Sequence, residues 1–203
     1  MVIIFKLFRK IFYSILCVLE KLATLILFKG NGVIYKSFRT SGIPYIMVAR
    51  GGKMSIGENF AMNNGIKGNP IGCYQRCTFF VDKGCKLDIK ENVGISQTAI
   101  IAHDNIIIQK NVKIGGGTCI YTSDFHSLNP SIRASENNTR HKICKPVIIE
   151  ENVFIGAHST ILKGCTIGKN AIIGAGSVVT KSIPENEIWG GNPAKFIKKV
   201  PLQ

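Results

Sequence analysis

The most regular feature of this chain is an aliphatic residue at every sixth position of its C-terminal half. A strand repeats every two residues and a helix every 3.6, so neither explains a period of six. Hexapeptide repeats are typical of the parallel β-helix, and the pattern therefore predicts an all-β solenoid. A second series, mostly of small residues, lies two positions before the first. The aliphatic series is Ile149, Ile155, Ile161, Ile167, Ile173 and Val179, and the second is Val147, Val153, Ser159, Cys165, Ala171 and Ser177.

The same pairing continues upstream with interruptions. One additional residue is expected around His103 and Asp104, and Met54 with Ile56 indicates the first coil. The repeat region is therefore predicted to span residues 53–183, after a connecting segment over residues 29–52. The upstream pairs are Leu87 and Ile89, Val93 and Ile95, Ala99 and Ile101, Ile106 and Ile108, Val112 and Ile114, and Thr118 and Ile120.

Two segments depart from the repeat. Residues 121–146 are polar and break its register, and structureless loops beyond ~12–15 residues are usually functional or disordered. We call them the excursion loop and expect the chemistry there. Residues 184–203 form a C-terminal tail, in which Asn192 and Pro193 predict the N-cap and first turn of a short helix.

The first 28 residues combine basic and apolar residues. Residues 1–50 carry eight basic side chains and only Glu20 as an acid, which is half of the chain's net charge of +14. No small-residue cleavage site follows the apolar run, which argues against a signal peptide. The uninterrupted apolar stretch from Ile11 to Leu19 falls short of the ~20 residues that span a membrane. An amphipathic helix lying in an anionic membrane interface is favoured, while burial against a subunit and a true span remain alternatives.

Composition narrows the remaining function classes. The seven cysteines are an odd set with no CxxC pair, which favours free thiols in a reducing cytosol over a metal cluster. The basic charge accompanies apolar bulk, and no nucleic-acid-binding motif is present, so a nucleic-acid partner is not expected. A cytoplasmic protein at the inner face of the cell membrane fits these properties.

Two stretches resemble the hexapeptide-repeat acyltransferases. The branch is that of the galactoside and maltose O-acetyltransferases and of the acetyltransferases of surface polysaccharides. Residues 147–200 carry GAGSVVTK and GNPAKFIKK, and IYTSDFHSLNPSIR resembles the branch's catalytic segment. The resemblance implies a left-handed parallel β-helix of triangular section that assembles as a homotrimer. It also implies an O-acetyltransferase that uses acetyl-CoA, bound between neighbouring subunits, to acetylate a sugar hydroxyl in surface-polysaccharide biosynthesis.

The same resemblance assigns the catalytic role to His126. An alcohol is a weak nucleophile at neutral pH, and a positioned imidazole acts well as its general base. Asp124, two residues before, is expected to orient the imidazole or hold the acceptor, although loop solvation or a turn cap explains it nearly as well. No serine or cysteine nucleophile signature is visible, so direct transfer is favoured. Backbone N–H groups of Gly115 to Gly117 are candidate oxyanion donors.

The other histidines have weaker claims. His103 is expected in a surface turn, with an approach to a neighbour's site as the alternative. His141 either touches the acceptor or is solvated, and His158 lies where the repeat turns. A zinc site on this fold needs three convergent histidines, and the closely spaced pair is absent, so no metal is expected.

The resemblance also assigns the contacts to acetyl-CoA. Phe154, which stands where tryptophan is more frequent, and Ala157 match positions along the pantetheine. Small residues such as Ala157 are also favoured at solenoid corners, so structure and function coincide there. The lysines match basic residues near the phosphates, where relatives often carry arginine. The full set of cofactor positions is Phe154, Ala157, Ala175, Thr180, Lys181, Lys195 and Lys198.

Two other functions remain open at this point. An N-acetyltransferase of an amino sugar, or an antibiotic acetyltransferase, would use the same residues on another acceptor. A non-catalytic, membrane-associated β-helix scaffold would use none of them. The acceptor itself is not identified by the sequence.

Overall fold

The computed structural model describes residues 1–201, and its repeat region consists of three mainly parallel sheets, here called A, B and C. Sheet A contains β1 (Ile34–Tyr35), β4 (Lys53–Ile56), β7 (Lys86–Ile89), β10 (Ile106–Ile108), β13 (Val147–Ile149) and β16 (Thr166–Ile167). Sheet B contains β2 (Phe38–Ser41), β5 (Phe60–Asn63), β8 (Gly94–Ser96), β11 (Lys113–Ile114), β14 (Phe154–Ile155), β17 (Ile172–Ile173), β19 (Glu187–Gly190) and β20 (Lys195–Lys199). Sheet C contains β3 (Tyr45–Val48), β6 (Thr78–Val81), β9 (Ala99–Ala102), β12 (Cys119–Tyr121), β15 (Thr160–Ile161) and β18 (Val178–Val179).

From β1 to β18 the chain visits the three sheets in strict turn, so that each coil adds one strand to each sheet. This arrangement fits the predicted left-handed parallel β-helix. We call the three-sided stack of coils the prism. Both six-residue series of the C-terminal half point inward, and their side chains are at most 1% exposed. Each buried isoleucine stabilises the fold by ~1.5–3 kcal/mol relative to an exposed one. The period of six thus arises because every third of a coil places one aliphatic residue in the core.

The turns from sheet A to sheet B form one edge of the prism, the A–B edge, and an asparagine occupies each of six successive turns. All six have a left-handed backbone, with φ between 55° and 63°. The amides of the first five each donate to the asparagine of the next coil, at 2.8–3.2 Å. Asparagine tolerates this conformation better than other non-glycine residues. The ladder runs through Asn59, Asn92, Asn111, Asn152, Asn170 and Asn186.

Three predictions need correction. First, the repeat begins earlier than residue 53, because β1, β2 and β3 pair with β4, β5 and β6 inside the segment assigned to a connection, 29–52. The inward residues of this coil, Phe38 and Ile46, are eight positions apart, which hides the period of six.

Second, the inward pair in sheet C is Thr98 and Ile100, whereas Ala99 and Ile101 are partly exposed. The turn at Gln97, with φ of 41°, shortens the interval after Ile95 to five residues. Two additional residues, instead of one, then follow β9 before the repeat resumes at Ile108.

Third, no helix forms after Asn192 within the described part of the tail. Residues 195–199 are β20, which runs antiparallel to β19. An open edge of sheet B would present unpaired backbone groups, and β20 covers that edge. The last two residues of the predicted tail, 202 and 203, lie outside the described residues.

The predicted N-terminal helix is present as α1 (Val2–Gly30). Its C-terminal part packs on the first coil, where the fully buried ring of Phe28 lies 4.8 Å from the ring of Phe38. Glu20 is buried at the same junction, and its carboxylate accepts hydrogen bonds from Lys67 Nζ at 2.9 Å and from the backbone N–H of Gly42 at 2.8 Å. The remainder of α1 extends away with its side chains exposed.

Candidate active site

The excursion loop leaves sheet C after β12 and returns to sheet A at β13, at the C–A edge of the prism. It contains the short helix α2 (Pro130–Arg133) and a 3-10 helix over Asn138–His141. Its two ends are tied to each other, because Lys145 N–H donates to Thr122 O at 2.9 Å and Asp124 N–H donates to Ile143 O at 3.2 Å. The loop is therefore a closed appendage on an uninterrupted solenoid.

Asp124 lies at the base of this loop and is mostly buried. Its Oδ1 accepts a hydrogen bond from Lys163 Nζ at 2.5 Å. Its Oδ2 is buried without a hydrogen-bond partner among residues 1–201. Since a carboxylate oxygen without a partner is costly in a low-dielectric environment, this atom is available to a donor from a bound molecule.

His126 is exposed beside it, and Asn138 fixes its ring. The Asn138 amide donates from Nδ2 to His126 Nδ1 at 2.8 Å, while its Oδ1 accepts from the N–H of Ser127 at 2.9 Å. Because Ser127 determines which end of the amide faces the ring, Nδ1 must be the acceptor and the neutral imidazole carries its proton on Nε2. In this state the basic nitrogen is covered by Asn138.

Five of the seven predicted cofactor residues fall into two groups on one protomer, and the other two, Lys195 and Lys198, lie on β20. Ala157 and Ala175 lie in successive turns from sheet B to sheet C, the B–C edge, with Phe154 on β14 nearby. Thr180 and Lys181 follow β18 at the C–A edge, the same edge that carries the excursion loop. About five residues of sheet C separate the two edges, which at ~3.3 Å per residue is roughly 16 Å.

Apolar and basic side chains are exposed on sheet B near these residues. Phe154 is 48% exposed and lines an open groove of about 250 Å³ with Gly115. The turn at Gly115 lies so close to the next coil that a Cβ there would approach Ala157 N to 2.5 Å. Lys195 and Lys198 are exposed on β20 and make no salt bridge within residues 1–201, whereas Lys199 pairs with Glu187 at 2.7 Å.

The suggested oxyanion donors are not all free. Gly115 N–H donates to Ile155 O at 2.8 Å, and Gly117 N–H donates to Gln97 O at 3.2 Å. Both hydrogen bonds connect neighbouring coils. These two N–H groups therefore hold the solenoid together and are unavailable to a reacting carbonyl.

His103 lies in a bend, as predicted, but its side chain is only 12% exposed and is therefore mostly buried. Burial lowers the pKa of His103, the positive charge of Lys142 lowers it further, and Asp82 opposes both. By contrast His141 is exposed in the 3-10 helix, and His158 is exposed at the B–C edge with Nε2 3.7 Å from Cys73 Sγ. Within residues 1–201 no three His, Cys, Asp or Glu side chains are arranged to hold a metal ion.

Comparison with known proteins agrees with this architecture. Residues 146–181 match the hexapeptide repeat of succinyl-transferase. The chain is 33% identical to the galactoside O-acetyltransferase of Lactococcus lactis, over 63% of this chain and 60% of that protein. It is 29% identical to WbbJ of Escherichia coli, assigned as a lipopolysaccharide biosynthesis O-acetyl transferase, over 82% of each protein. The match thus spans less than two thirds of the galactoside enzyme's length.

Solved structures extend the likeness. A maltose O-acetyltransferase from Clostridium difficile is 30% identical, with a TM-score of 0.52 over 84% of this chain and 71% of that one. The chain belongs to the hexapeptide-repeat acyltransferases. AntD, an N-acyltransferase from Bacillus cereus solved with dTDP-4-amino-4,6-dideoxyglucose and coenzyme A, is 24% identical with a TM-score of 0.67 and shares the fold, over 87% of this chain and 88% of that one.

Two residues of this candidate site, Asn138 and Lys163, were not predicted from the sequence. Asn138 carries no signal, because nothing in the excursion loop indicates which amide meets His126. Lys163 does carry one. β12 and β15 pair with an offset of 41 residues, so the turn after β15 places Lys163 next to the start of the loop.

Proposed function

We propose that the protein is an acetyl-CoA-dependent O-acetyltransferase that acetylates a sugar hydroxyl in surface-polysaccharide biosynthesis, with His126 as general base. The observation that carries the proposal is the placement of an exposed, amide-oriented imidazole beside the Asp124–Lys163 pair. The O-acetyl relatives support a hydroxyl acceptor, and WbbJ supports a surface polysaccharide.

The reaction proceeds in one step from the groups present. The acceptor hydroxyl takes the place of the Asn138 amide at Nδ1 of His126 and gives its proton to that nitrogen. The hydroxyl oxygen attacks the thioester carbonyl, the carbon–sulfur bond breaks, and the imidazolium returns the proton to the departing thiolate. A positioned base contributes typically ~10²–10⁴-fold to such a transfer. Asp124, held by Lys163, offers Oδ2 to a second hydroxyl of the acceptor.

We further propose that the enzyme is a homotrimer with its sites between protomers. Five of the residues assigned to acetyl-CoA occupy two edges of one prism, roughly 16 Å apart by the strand spacing. A neighbour that brings its B–C edge to this protomer's C–A edge would unite Ala157 and Ala175 with His126. A solution mass of 22.2 kDa by light scattering, the mass of a single chain, would contradict the trimer.

The apolar side of α1 is proposed to lie in an anionic membrane interface. By length and composition α1 could also cross a membrane. However, the helix packs on the prism from Glu20 onward, which leaves about 18 residues, or ~27 Å of helix, free. That free part carries Lys6, Arg9 and Lys10 along one side, so an in-plane position avoids burying three cations.

The single deciding experiment measures release of coenzyme A from acetyl-CoA with a panel of sugars and sugar nucleotides. Wild type is expected to be active, and His126→Ala is expected to lower kcat by at least ~10²-fold with the KM for acetyl-CoA little changed. His141→Ala, at the other exposed histidine of the loop, is the matched control and should retain activity. Equal rates for wild type and His126→Ala would refute the proposal.

The same assay distinguishes O-acetyl transfer from the second candidate function, N-acyl transfer. AntD, solved with an amino sugar nucleotide, supports N-acyl transfer. Mass spectrometry of the product with paired amino and hydroxyl sugars decides between the linkages, because an ester is cleaved by mild base and an amide is not. A wild type that neither binds coenzyme A nor turns over on any acceptor would favour the scaffold.

A further inference from the structure

We propose that His103 is a positioning residue for the transfer, which holds the turn between Asp124 and His126 through the hydroxyl of Ser123. The inference rests on the proposed function of His126. It adds to that function a hydrogen-bonded pair on a different coil.

His103 and Ser123 meet beneath the excursion loop. His103 Nδ1 lies 2.9 Å from Ser123 Oγ, and Ser123 is only 5% exposed. The imidazole also packs between two aromatic rings, with centroids 5.1 Å from Phe80 and 5.5 Å from Phe125. Tyr121 closes the cluster, 5.2 Å from Phe125. The imidazole is thus fixed by packing on two sides and by one hydrogen bond.

The direction of that hydrogen bond follows from the tautomer of His103. Asp82 Oδ2 lies 4.0 Å from Nε2, which favours the neutral tautomer with its proton on Nε2 and leaves Nδ1 as the acceptor. Phe125 N–H donates to Ser123 Oγ at 3.3 Å, and the hydroxyl donates its own proton to Nδ1. The chain of donors therefore runs from the Phe125 amide through the Ser123 hydroxyl to His103.

Burial lowers the pKa of His103 and the positive charge of Lys142 lowers it further, which favours the neutral imidazole against the opposing effect of Asp82. Asp82 Oδ2 lies 4.0 Å from Nε2 and is itself neutralised by Lys142 Nζ at 3.5 Å. Asp104 follows on the same turn, and its N–H and that of His103 both donate to Thr122 Oγ1. Cys144, across the base of the loop, has a pKa raised by burial and is a neutral thiol.

The turn needs this support because Phe125 adopts a left-handed backbone with φ of 62°. That conformation costs a non-glycine residue roughly 1–2 kcal/mol, so its surroundings must hold it. Asp124 and His126 flank Phe125 directly, and His126 N–H donates to Asp124 O at 2.7 Å. If the turn relaxes, both side chains move together, and a shift of ~1 Å at a reacting group can cost ~10²-fold in rate.

Three variants test the proposal in the coenzyme A release assay. His103→Phe keeps the aromatic packing and removes the acceptor, whereas Ser123→Ala removes the hydroxyl alone. Both are expected to lower kcat about ten- to a hundred-fold, with the KM for acetyl-CoA within about two-fold. His103→Asn places a carbonyl oxygen near the position of Nδ1 and should recover most of the loss. His141→Phe is the matched control and should behave as wild type.

A double variant and a spectrum complete the test. Because the two residues act as one unit, His103→Phe with Ser123→Ala should be no slower than the worse single variant. The amide resonance of Phe125 should shift in both single variants and return with His103→Asn, which reports on the turn even without turnover. A wild type without transferase activity would refute the proposed function alone. Unchanged kcat and an unshifted Phe125 resonance in His103→Phe and Ser123→Ala would overturn the positioning role.

Discussion

The side-chain amide of Asn138 determines which ring nitrogen of His126 is exposed. Asn138 is oriented by the N–H of Ser127 and donates to Nδ1 of His126, so the resting imidazole shows a donor and hides its acceptor. In the proposed reaction, the acceptor hydroxyl must replace this hydrogen bond before it can give its proton to His126. Asn138 therefore sets how easily the base is uncovered.

The substitution Asn138→Asp is expected to change which ring nitrogen of His126 is basic. The carboxylate would accept from Ser127 N–H with one oxygen and from Nδ1–H of His126 with the other, so Nε2 becomes the basic atom. A nearby negative charge favours the protonated imidazole, and the acidic limb of the kcat/KM profile should move to higher pH. The measurement is the pH–rate profile, with Asn137→Asp, at the neighbouring position, as the control. An acidic limb at the wild-type position would contradict this account of the ring.

Sequence motifs single out only some residues of the candidate site. His126 and Asp124 could be singled out because they stand in a motif, and the structure places them at one edge. His103 stands in no motif, and its contacts come from Phe80 on β6 and from Ser123 and Phe125 at the start of the excursion loop. Such a cluster exists only once the coils are stacked, so no local pattern could reveal it.

At the scale of elements, the regular half of the solenoid could be predicted almost residue by residue. Both buried series are where the period of six puts them. The error in β9 arose because Ile100 and Ile101 are equally apolar, so composition does not indicate which one faces inward. The tail was misread because the N-cap signal of Asn192 is local, whereas the pairing of β20 with β19 depends on the open edge of sheet B.

At this scale, the asparagine ladder predicts how substitutions of Asn152 change the free energy of unfolding. Asn152 has φ of 60° and hydrogen bonds to Asn111 at 3.0 Å and Asn170 at 2.9 Å. Asn152→Gly loses these two bonds but tolerates the backbone, whereas Asn152→Ala loses the bonds and also meets a left-handed penalty of ~1–2 kcal/mol. Alanine should therefore lower the free energy of unfolding by about 1 kcal/mol or more beyond glycine. Urea denaturation of both variants provides the measurement, and equal stabilities would contradict the backbone argument.

At the scale of the whole molecule, the docking of α1 turns its acidic side chain toward the prism and leaves its apolar side exposed. Its only acid, Glu20, faces the prism and is neutralised by Lys67. The opposite side of the helix, at spacings of three and four, is apolar and more than 50% exposed. That side consists of Ile4, Phe8, Ile11, Ile15, Leu19, Leu22 and Ile26.

The proposed interfacial position of α1 predicts vesicle binding that depends on charge. Vesicles containing anionic phosphatidylglycerol should bind the full chain, and neutral phosphatidylcholine vesicles should bind it more weakly. Each cation near such a surface contributes ~1 kcal/mol, so neutralising Lys6, Arg9 and Lys10 with glutamine should weaken binding roughly 10²-fold. Co-sedimentation at several salt concentrations measures the effect.

A charge-matched control uses three exposed cations of the prism, replaced in the same way at Arg50, Lys53 and Lys83. This variant should bind vesicles nearly as wild type does. If both triple variants lose binding equally, the attraction belongs to the net charge of +14 and not to the helix. A variant with Phe8→Ser and Ile11→Ser removes apolar bulk from the helix without changing its charge, and it should bind more weakly. Binding equal to that of wild type would contradict an embedded apolar side.

The closed base of the excursion loop has an evolutionary consequence. Ile106 and Val147 are paired neighbours in sheet A although they are 41 positions apart, whereas Leu87 and Ile106 in the preceding coil are only 19 apart. The additional positions belong to the excursion loop, which can therefore be exchanged without changing the coil. Doubling the length of a flexible loop costs only ~0.6 kcal/mol, so descendants of this scaffold are free to trade one recognition module for another. Exchanging the loop changes which side chains meet the substrate and leaves the stacking of the coils unchanged.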